Sequence, residues 1–142
     1  MAVNVSSWQF VRADFVQQVE RFLASSGVNP AQFTLEITES ALFYDIENAI
    51  EKMRALGLRL SMDDFGTGFS SLSYLKKLPL DELKIDRPFV ETITPDVPDV
   101  FLSSIVAIGH ALGMAVIGGR VETEAPRNAL TAMGCDGFQG YL

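Results

Sequence analysis

The stretch Ser61-Met62-Asp63-Asp64-Phe65-Gly66-Thr67-Gly68-Phe69-Ser70-Ser71 decides how the rest of the chain is read. It follows an alternating run from Leu58 to Met62 that reads as the end of a strand. Leu58, Leu60 and Met62 face one way; Arg59, Ser61 and Asp63 face the other. Neighbouring strand residues point to opposite faces. Asp63 and Asp64 can therefore share a site only where the strand ends and the backbone turns. Gly66 and Gly68 supply that turn, because glycine takes positive φ without penalty. The serine pair then starts a short helix ending at Lys77 and Pro79. Taken alone, two acids here are equally well explained as solvated loop residues capping a helix. Their neighbours along the chain decide between the two.

Upstream, Ala2-Val3-Asn4-Val5 is a short strand that sets Asn4 among apolar residues. The spacing of Val11, Phe15, Val16, Val19, Phe22 and Leu23 predicts one helix from about Trp8 to Leu23, with these residues on its buried face. Gly27 and Pro30 end it. Phe33 to Ser40 reads as a strand with Leu35 and Ile37 on one face, Glu36 and Thr38 on the other, and Glu39 at its end. Asp45 is the expected cap of a helix striped by Ile46, Ala49, Ile50, Met53 and Leu56, stopped by Gly57.

Downstream, Glu82 to Asp86 is a strand with Lys84 and Asp86 on its polar face. On a surface that pair is worth little; inside a barrel mouth it is a polar site. Thr94 to Pro98 is a proline-rich turn. The helix from about Asp99 to Leu112 is apolar nearly all round and is expected to be well buried. His110 in its last turn reads as a dipole or packing feature. Met114 to Ile117 is an apolar strand running into Gly118-Gly119-Arg120-Val121-Glu122. Thr123 caps the next helix, with Pro126 in its first turn, and Gly137 to Leu142 starts a last strand.

The chain has 142 residues, 48% hydrophobic and 20% charged, which is the composition of one globular domain. No apolar run is long enough to span a membrane and no leader precedes the first strand, so no membrane contact is expected from this segment. A single cysteine, Cys135, cannot pair within the chain and reads as a buried structural thiol in a reducing, cytoplasmic compartment. The net charge of −7 argues against binding a nucleic-acid polymer. A phosphate ligand remains compatible with that charge where metal ions stand between acids and phosphates.

Strand and helix alternate with short connections, which means parallel strands with right-handed crossovers. About six strands and five helices follow from this reading. Asn4, Glu36, Asp63, Lys84, Glu122 and Gln139 all fall on strands or at strand ends. In a parallel barrel such residues gather around one mouth. A complete eight-stranded barrel takes about 250 residues, so the expected fold is α/β, a partial TIM-type (β/α) barrel. A partial barrel is expected to leave Val5, Ile37, Leu60 and Val116 less well covered, each forfeiting up to about 1.5–3 kcal/mol.

In this order, Val3-Asn4-Val5-Ser6, Leu35-Glu36-Ile37-Thr38-Glu39-Ser40, Asp63-Asp64-Phe65-Gly66-Thr67-Gly68, Leu83-Lys84-Ile85-Asp86, Val121-Glu122-Thr123 and Gly137-Phe138-Gln139-Gly140-Tyr141 resemble the motifs of the EAL domain family. These are bacterial phosphodiesterases that linearise cyclic di-GMP. The resemblance covers nearly the whole chain. It implies a bacterial, cytoplasmic signalling domain whose barrel mouth holds two Mg²⁺ or Mn²⁺ ions. Hard cations of this kind take oxygen ligands, and a two-metal site can clamp a phosphodiester. By resemblance, Asn4, Glu36, Asp63 and Asp64 match metal ligands, with Asp63 bridging. Lys84 and Glu122 match catalytic groups, Glu39 steadies the loop after the two aspartates, and Asp86 and Gln139 lie near the ligand.

Two departures qualify the resemblance. The Glu-Ala-Leu motif is absent and belongs with first strands expected upstream of Met1, so residues 1–142 are expected to be an incomplete domain. The family commonly reads Ala-Glu-Gly-Val-Glu where this chain has Gly118-Gly119-Arg120-Val121-Glu122. Gly119 thus removes a carboxylate, and Arg120 adds a cation that repels metal or contacts phosphate. Three functions stay open: a weakly active or inactive phosphodiesterase, a non-catalytic cyclic di-GMP receptor, and a dimerising regulatory module. Open sheet edges are sticky, so a homodimer or other self-association is expected.

Overall fold

The computed structural model describes residues 1–66, 72–94, 96–97 and 99–140. The expected turn at Gly68, the serine start at Ser70 and Ser71, Pro98, and the end of the last strand at Tyr141 and Leu142 lie outside the described residues. Among the described residues six strands form one sheet in sequence order: β1 Ala2–Val5, β2 Thr34–Thr38, β3 Arg59–Phe65, β4 Glu82–Ile85, β5 Ala115–Gly118 and β6 Gly137–Phe138. Every neighbouring pair is parallel. The helices between them are α1 Ser7–Phe10, α2 Phe15–Ser26, α3 Glu47–Ala55, α4 Leu72–Lys77, α5 Arg87–Glu91, α6 Val100–Ala111 and α7 Glu124–Ala132. This is the α/β partial barrel that the strand–helix rhythm predicts.

The core lies between sheet and helices. Ile37, Leu60, Met62, Leu83 and Val116 are fully buried there, joined by Ile50 and Met53 of α3 and Leu102 of α6. The expectation that Val5, Ile37, Leu60 and Val116 are poorly covered is therefore wrong: none exceeds 6% exposure. These side chains point to the helical layer, which is present, and not to the inner face of the sheet. The inner face carries the polar set instead, with Glu36, Ser61 and Lys84 buried.

Several element boundaries differ from the sequence reading. The single helix expected from Trp8 to Leu23 is two. Ser6 and Gln9 close a capping box over α1, the Ser6 hydroxyl accepting from Gln9 N (3.2 Å) and the Gln9 side chain accepting from Ser6 N (3.1 Å). The chain then breaks and restarts at Phe15, so Phe10 takes the core position while Val11 and Phe22 are exposed. Asp45 is exposed and α3 begins after Ile46 instead. β2 stops at Thr38 because Glu39 to Phe43 forms a 3₁₀ turn. Asp86 leaves the strand and caps α5, an unexpected helix. α6 is buried on one side only, at Leu102, Ile105 and Val106; Val100 and Phe101 are exposed.

Candidate functional site

The chain does turn at Gly66, at φ 98°, as expected, but the two adjacent aspartates are brought to one site ahead of that turn by a different device. β3 does not end at Asp63; it continues to Phe65. Its register against β4 shifts between Met62, opposite Leu83, and Phe65, opposite Ile85. One extra residue is thus inserted in β3, a bulge of the kind that re-aims side chains beside active sites. Asp64 takes up the bulge in the left-handed region, at φ 56°. Aspartate tolerates this conformation better than most residues. Asp63 steadies it, its Oδ1 accepting from Asp64 N at 3.0 Å. Just beyond, Glu39 Oε2 accepts from Gly66 N at 3.2 Å, tying the 3₁₀ turn to the exit of the bulge.

The carboxyl ends of the strands surround one cleft of about 980 Å³. Asn4 from β1, Glu36 from β2, Asp63 and Asp64 from β3 and Lys84 from β4 line one part of it. Asp86, Gly119, Arg120, Glu122 and Gln139 also line it, from the loops that follow β4, β5 and β6. Every sequence-predicted site residue is brought together here except Glu39, which lies behind the bulge. Sequence reasoning missed Arg87, Pro88 and Gly140 on the cleft wall. An aspartate cap followed by proline in the first turn, Asp86-Arg87-Pro88, was the available signal for the first two.

At the centre is a buried ion pair. Lys84 Nζ donates to Glu36 Oε1 at 2.8 Å and lies 3.8 Å from Asp63 Oδ1. Both Lys84 and Glu36 are buried. Beside them the hydroxyl of Ser61, opposite Glu36 in the β2–β3 register, is buried with no hydrogen-bond partner among the described residues. Asp64 is held above the usual carboxylate range, at about 6, by burial first, then by the negative charges of Asp63 and Asp86 and a hydrogen bond with Asp86; Lys84 opposes the shift. Asp86 also caps α5, accepting from Arg87 N at 2.8 Å.

Asn4, Glu36, Asp63 and Asp64 offer only oxygen donors, the set that hard divalent cations take. Asp64 is raised by burial first and then by the neighbouring charges of Asp63 and Asp86, so the acids crowd one another here. In both respects these residues fit such ions. Among the described residues no three His, Cys, Asp or Glu side chains already converge closely enough to hold one ion. The Lys84 ammonium takes up that neutralising position against Glu36 and Asp63.

The loop after β5 is tightly fitted. Gly119 N donates to Ile85 O at 3.1 Å, and a Cβ at Gly119 would lie only 2.7 Å from the same oxygen. Arg120 follows at φ 51°, the second non-glycine residue in the left-handed region among the described residues. A Cβ at Gly140 would fall 2.1 Å from Val121 O, so the segment after β6 approaches this loop closely enough to require glycine.

Two residues stay outside the site. His110 Nε2 pairs with Asp136 Oδ2 at 2.7 Å. The partly buried Cys135 thiol donates to Val116 O at 3.3 Å, and burial raises its pKa. Among the described residues no helix is long and apolar enough to cross a membrane.

A family model described as "EAL domain" matches residues 1–142. The bifunctional diguanylate cyclase/cyclic di-GMP phosphodiesterase MucR of Pseudomonas aeruginosa is 42% identical over 146 residues, covering 100% of this chain and 21% of that protein. The solved structure of the PaMucR phosphodiesterase in complex with c-di-GMP superposes with a TM-score of 0.91 at 43% identity, over 98% of this chain and 64% of that one. The calcium/cy-diGMP complex of Klebsiella pneumoniae BlrP1 superposes with a TM-score of 0.84 at 29% identity, over 99% of this chain and 37% of that one. The chain thus spans about a fifth of the length of the curated relatives it matches, 21% and 20% for the first two.

Proposed function

The chain belongs to the EAL domain family, and from that premise we propose that its cleft binds cyclic di-GMP together with divalent cations and hydrolyses it slowly or not at all. The observation that carries this reading is the convergence of Asn4, Glu36, Asp63, Asp64, Lys84, Glu122 and Gln139 on one cleft. A scaffold has no use for a buried lysine–glutamate pair beside two further acids. Relatives whose names and structures speak of cyclic di-GMP phosphodiesterase and of cy-diGMP complexes with calcium or manganese support the choice of ligand.

Asn4, Glu36, Asp63 and Asp64 would hold the metal, Mg²⁺ or Mn²⁺. When bound there, such ions would supply charge neutralisation of a phosphodiester and a more acidic water. Lys84 holds the Glu36 and Asp63 carboxylates in place through its ion pairs at 2.8 and 3.8 Å. Glu39 anchors the exit of the bulge and so fixes Asp63 and Asp64 relative to each other. Asp86 and Gln139 stand on the wall where the nucleotide would lie. Slow turnover rests on Gly119: the resemblance implies a carboxylate there, and the backbone leaves a Cβ only 2.7 Å from Ile85 O. Self-association through the outer strands β1 and β6 belongs to the same proposal.

The test is incubation of the purified chain with Mn²⁺ and cyclic di-GMP, with nucleotides separated by chromatography. Little or no linear pGpG over hours is expected. Rapid conversion overturns the slow-turnover reading. Light scattering checks the association, and a stable monomer at high concentration overturns it.

A further inference from the structure

Among the described residues three cations line the cleft, and two of them are already neutralised. Lys84 is bonded to Glu36. Arg87 is bonded to Glu91, four residues along α5. The third, Arg120, forms no ion pair with any described residue and is exposed to the cleft. Its backbone is not free to follow solvent. On one side Gly119 N donates to Ile85 O at 3.1 Å. On the other, the buried Val121 donates its N–H to Gln139 O at 2.9 Å, while Gln139 N donates to Gly118 O at 2.9 Å. Arg120 is the one residue between these links, and it carries the left-handed φ of 51° that an arginine seldom adopts. Strained conformations of this kind persist where the surroundings impose them, and they cluster at binding sites. Here they fix the root of an unpaired guanidinium on the wall of the cleft.

Among the described residues the cleft has five carboxylates (Glu36, Asp63, Asp64, Asp86 and Glu122) against these three cations. An anionic ligand therefore meets repulsion on the acidic side unless metal is bound, and attraction at Arg120 regardless of metal.

We propose that Arg120 is the phosphate anchor of this cleft, taking a non-bridging pair of phosphodiester oxygens on its guanidinium fork. Two parallel charge-assisted N–H···O bonds suit a phosphate better than a lysine's single charge. This rests on the reading that the cleft binds a cyclic dinucleotide, and names the residue that fixes the phosphate.

The experiment measures two affinities separately, by calorimetry, in wild type, Arg120→Gln and Arg120→Lys: Ca²⁺ alone, then cyclic di-GMP in saturating Ca²⁺. Arg120→Gln is expected to weaken nucleotide binding by about 10- to 100-fold. Its Ca²⁺ affinity is expected to be equal or tighter, because a repelling cation has gone. Arg120→Lys should fall between, keeping the charge without the fork. A merely structural arginine would lower both affinities together, and that result overturns the proposal. Unchanged nucleotide affinity in Arg120→Gln overturns it as well. Failure of the wild-type chain to bind cyclic di-GMP overturns the underlying reading of the cleft, and is seen before any variant is compared.

Discussion

Replacing Lys84 with methionine keeps most of the apolar stem and removes the ammonium, leaving Glu36 buried and facing Asp63 without its partner. The charges lie 2.8 and 3.8 Å apart in the native pairings. At an effective dielectric of about 20 these are gross attractions of about 6 and 4 kcal/mol. The net loss is smaller, because desolvation of the pair is refunded and Glu36 can escape by taking a proton. Neutralising an ordinary glutamate costs about 3.7 kcal/mol at pH 7 and about 1 kcal/mol at pH 5. That escape caps the penalty. Lys84→Met should therefore lose about 3–4 kcal/mol at pH 7, within the range for broken buried pairs, and only about 1 kcal/mol at pH 5. Thermal unfolding in EDTA should show a fall of about 10 °C at pH 7. Millimolar Ca²⁺ should restore part of it, since a divalent cation can replace the ammonium between Glu36 and Asp63. Adding Glu36→Gln should also recover most of the loss. An equal loss at both pH values, with no response to Ca²⁺, would refute the charge argument and leave Lys84 as a packing residue.

Other consequences are open to equally direct tests. Gly119→Ala should destabilise by about 1–3 kcal/mol in chemical denaturation, because its Cβ would stand 2.7 Å from Ile85 O; Gly119→Glu should lose at least as much before any carboxylate can act. Asp64 binds its proton more tightly folded, at about 6, than unfolded, at 3.8. Without metal, this group alone makes stability rise as pH falls through that window. Ca²⁺ affinity should run the opposite way, weakening below about pH 6 with uptake of a proton by the released site, which calorimetry in two buffers reads. Cys135, raised by burial, should react slowly with an aromatic disulfide reagent at pH 7.5 and quickly once unfolded, as absorbance follows directly.

The fold was legible because each strand states its layers in sequence. Leu35 and Ile37 alternate with Glu36, and Leu60 and Met62 with Ser61, so core face and inner face separate by period two. The cleft was legible because its polar residues recur at the carboxyl ends of those strands. What could not be read are features with no local periodicity. The bulge at Asp63-Asp64 depends on register against β4, a property of the pair of strands. The break after α1 depends on a capping box that outcompetes a continuous apolar stripe. The burial of Val116 and Ile37 depends on which face of the sheet the helices cover, which no local pattern states. Asp86 lines the cleft, but its role as the cap of α5 was hidden behind its strand pattern.

The central claim is that this cleft takes a cyclic dinucleotide with divalent cations, and calorimetric titration of the chain with cyclic di-GMP tests it most directly. Calcium suits the experiment, because binding can be read there without turnover. Saturable one-to-one binding in Ca²⁺, weakened at least about tenfold in EDTA as the excess of cleft carboxylates requires, is the predicted result. Absence of binding in Ca²⁺ by a chain whose thermal unfolding is cooperative would contradict the account.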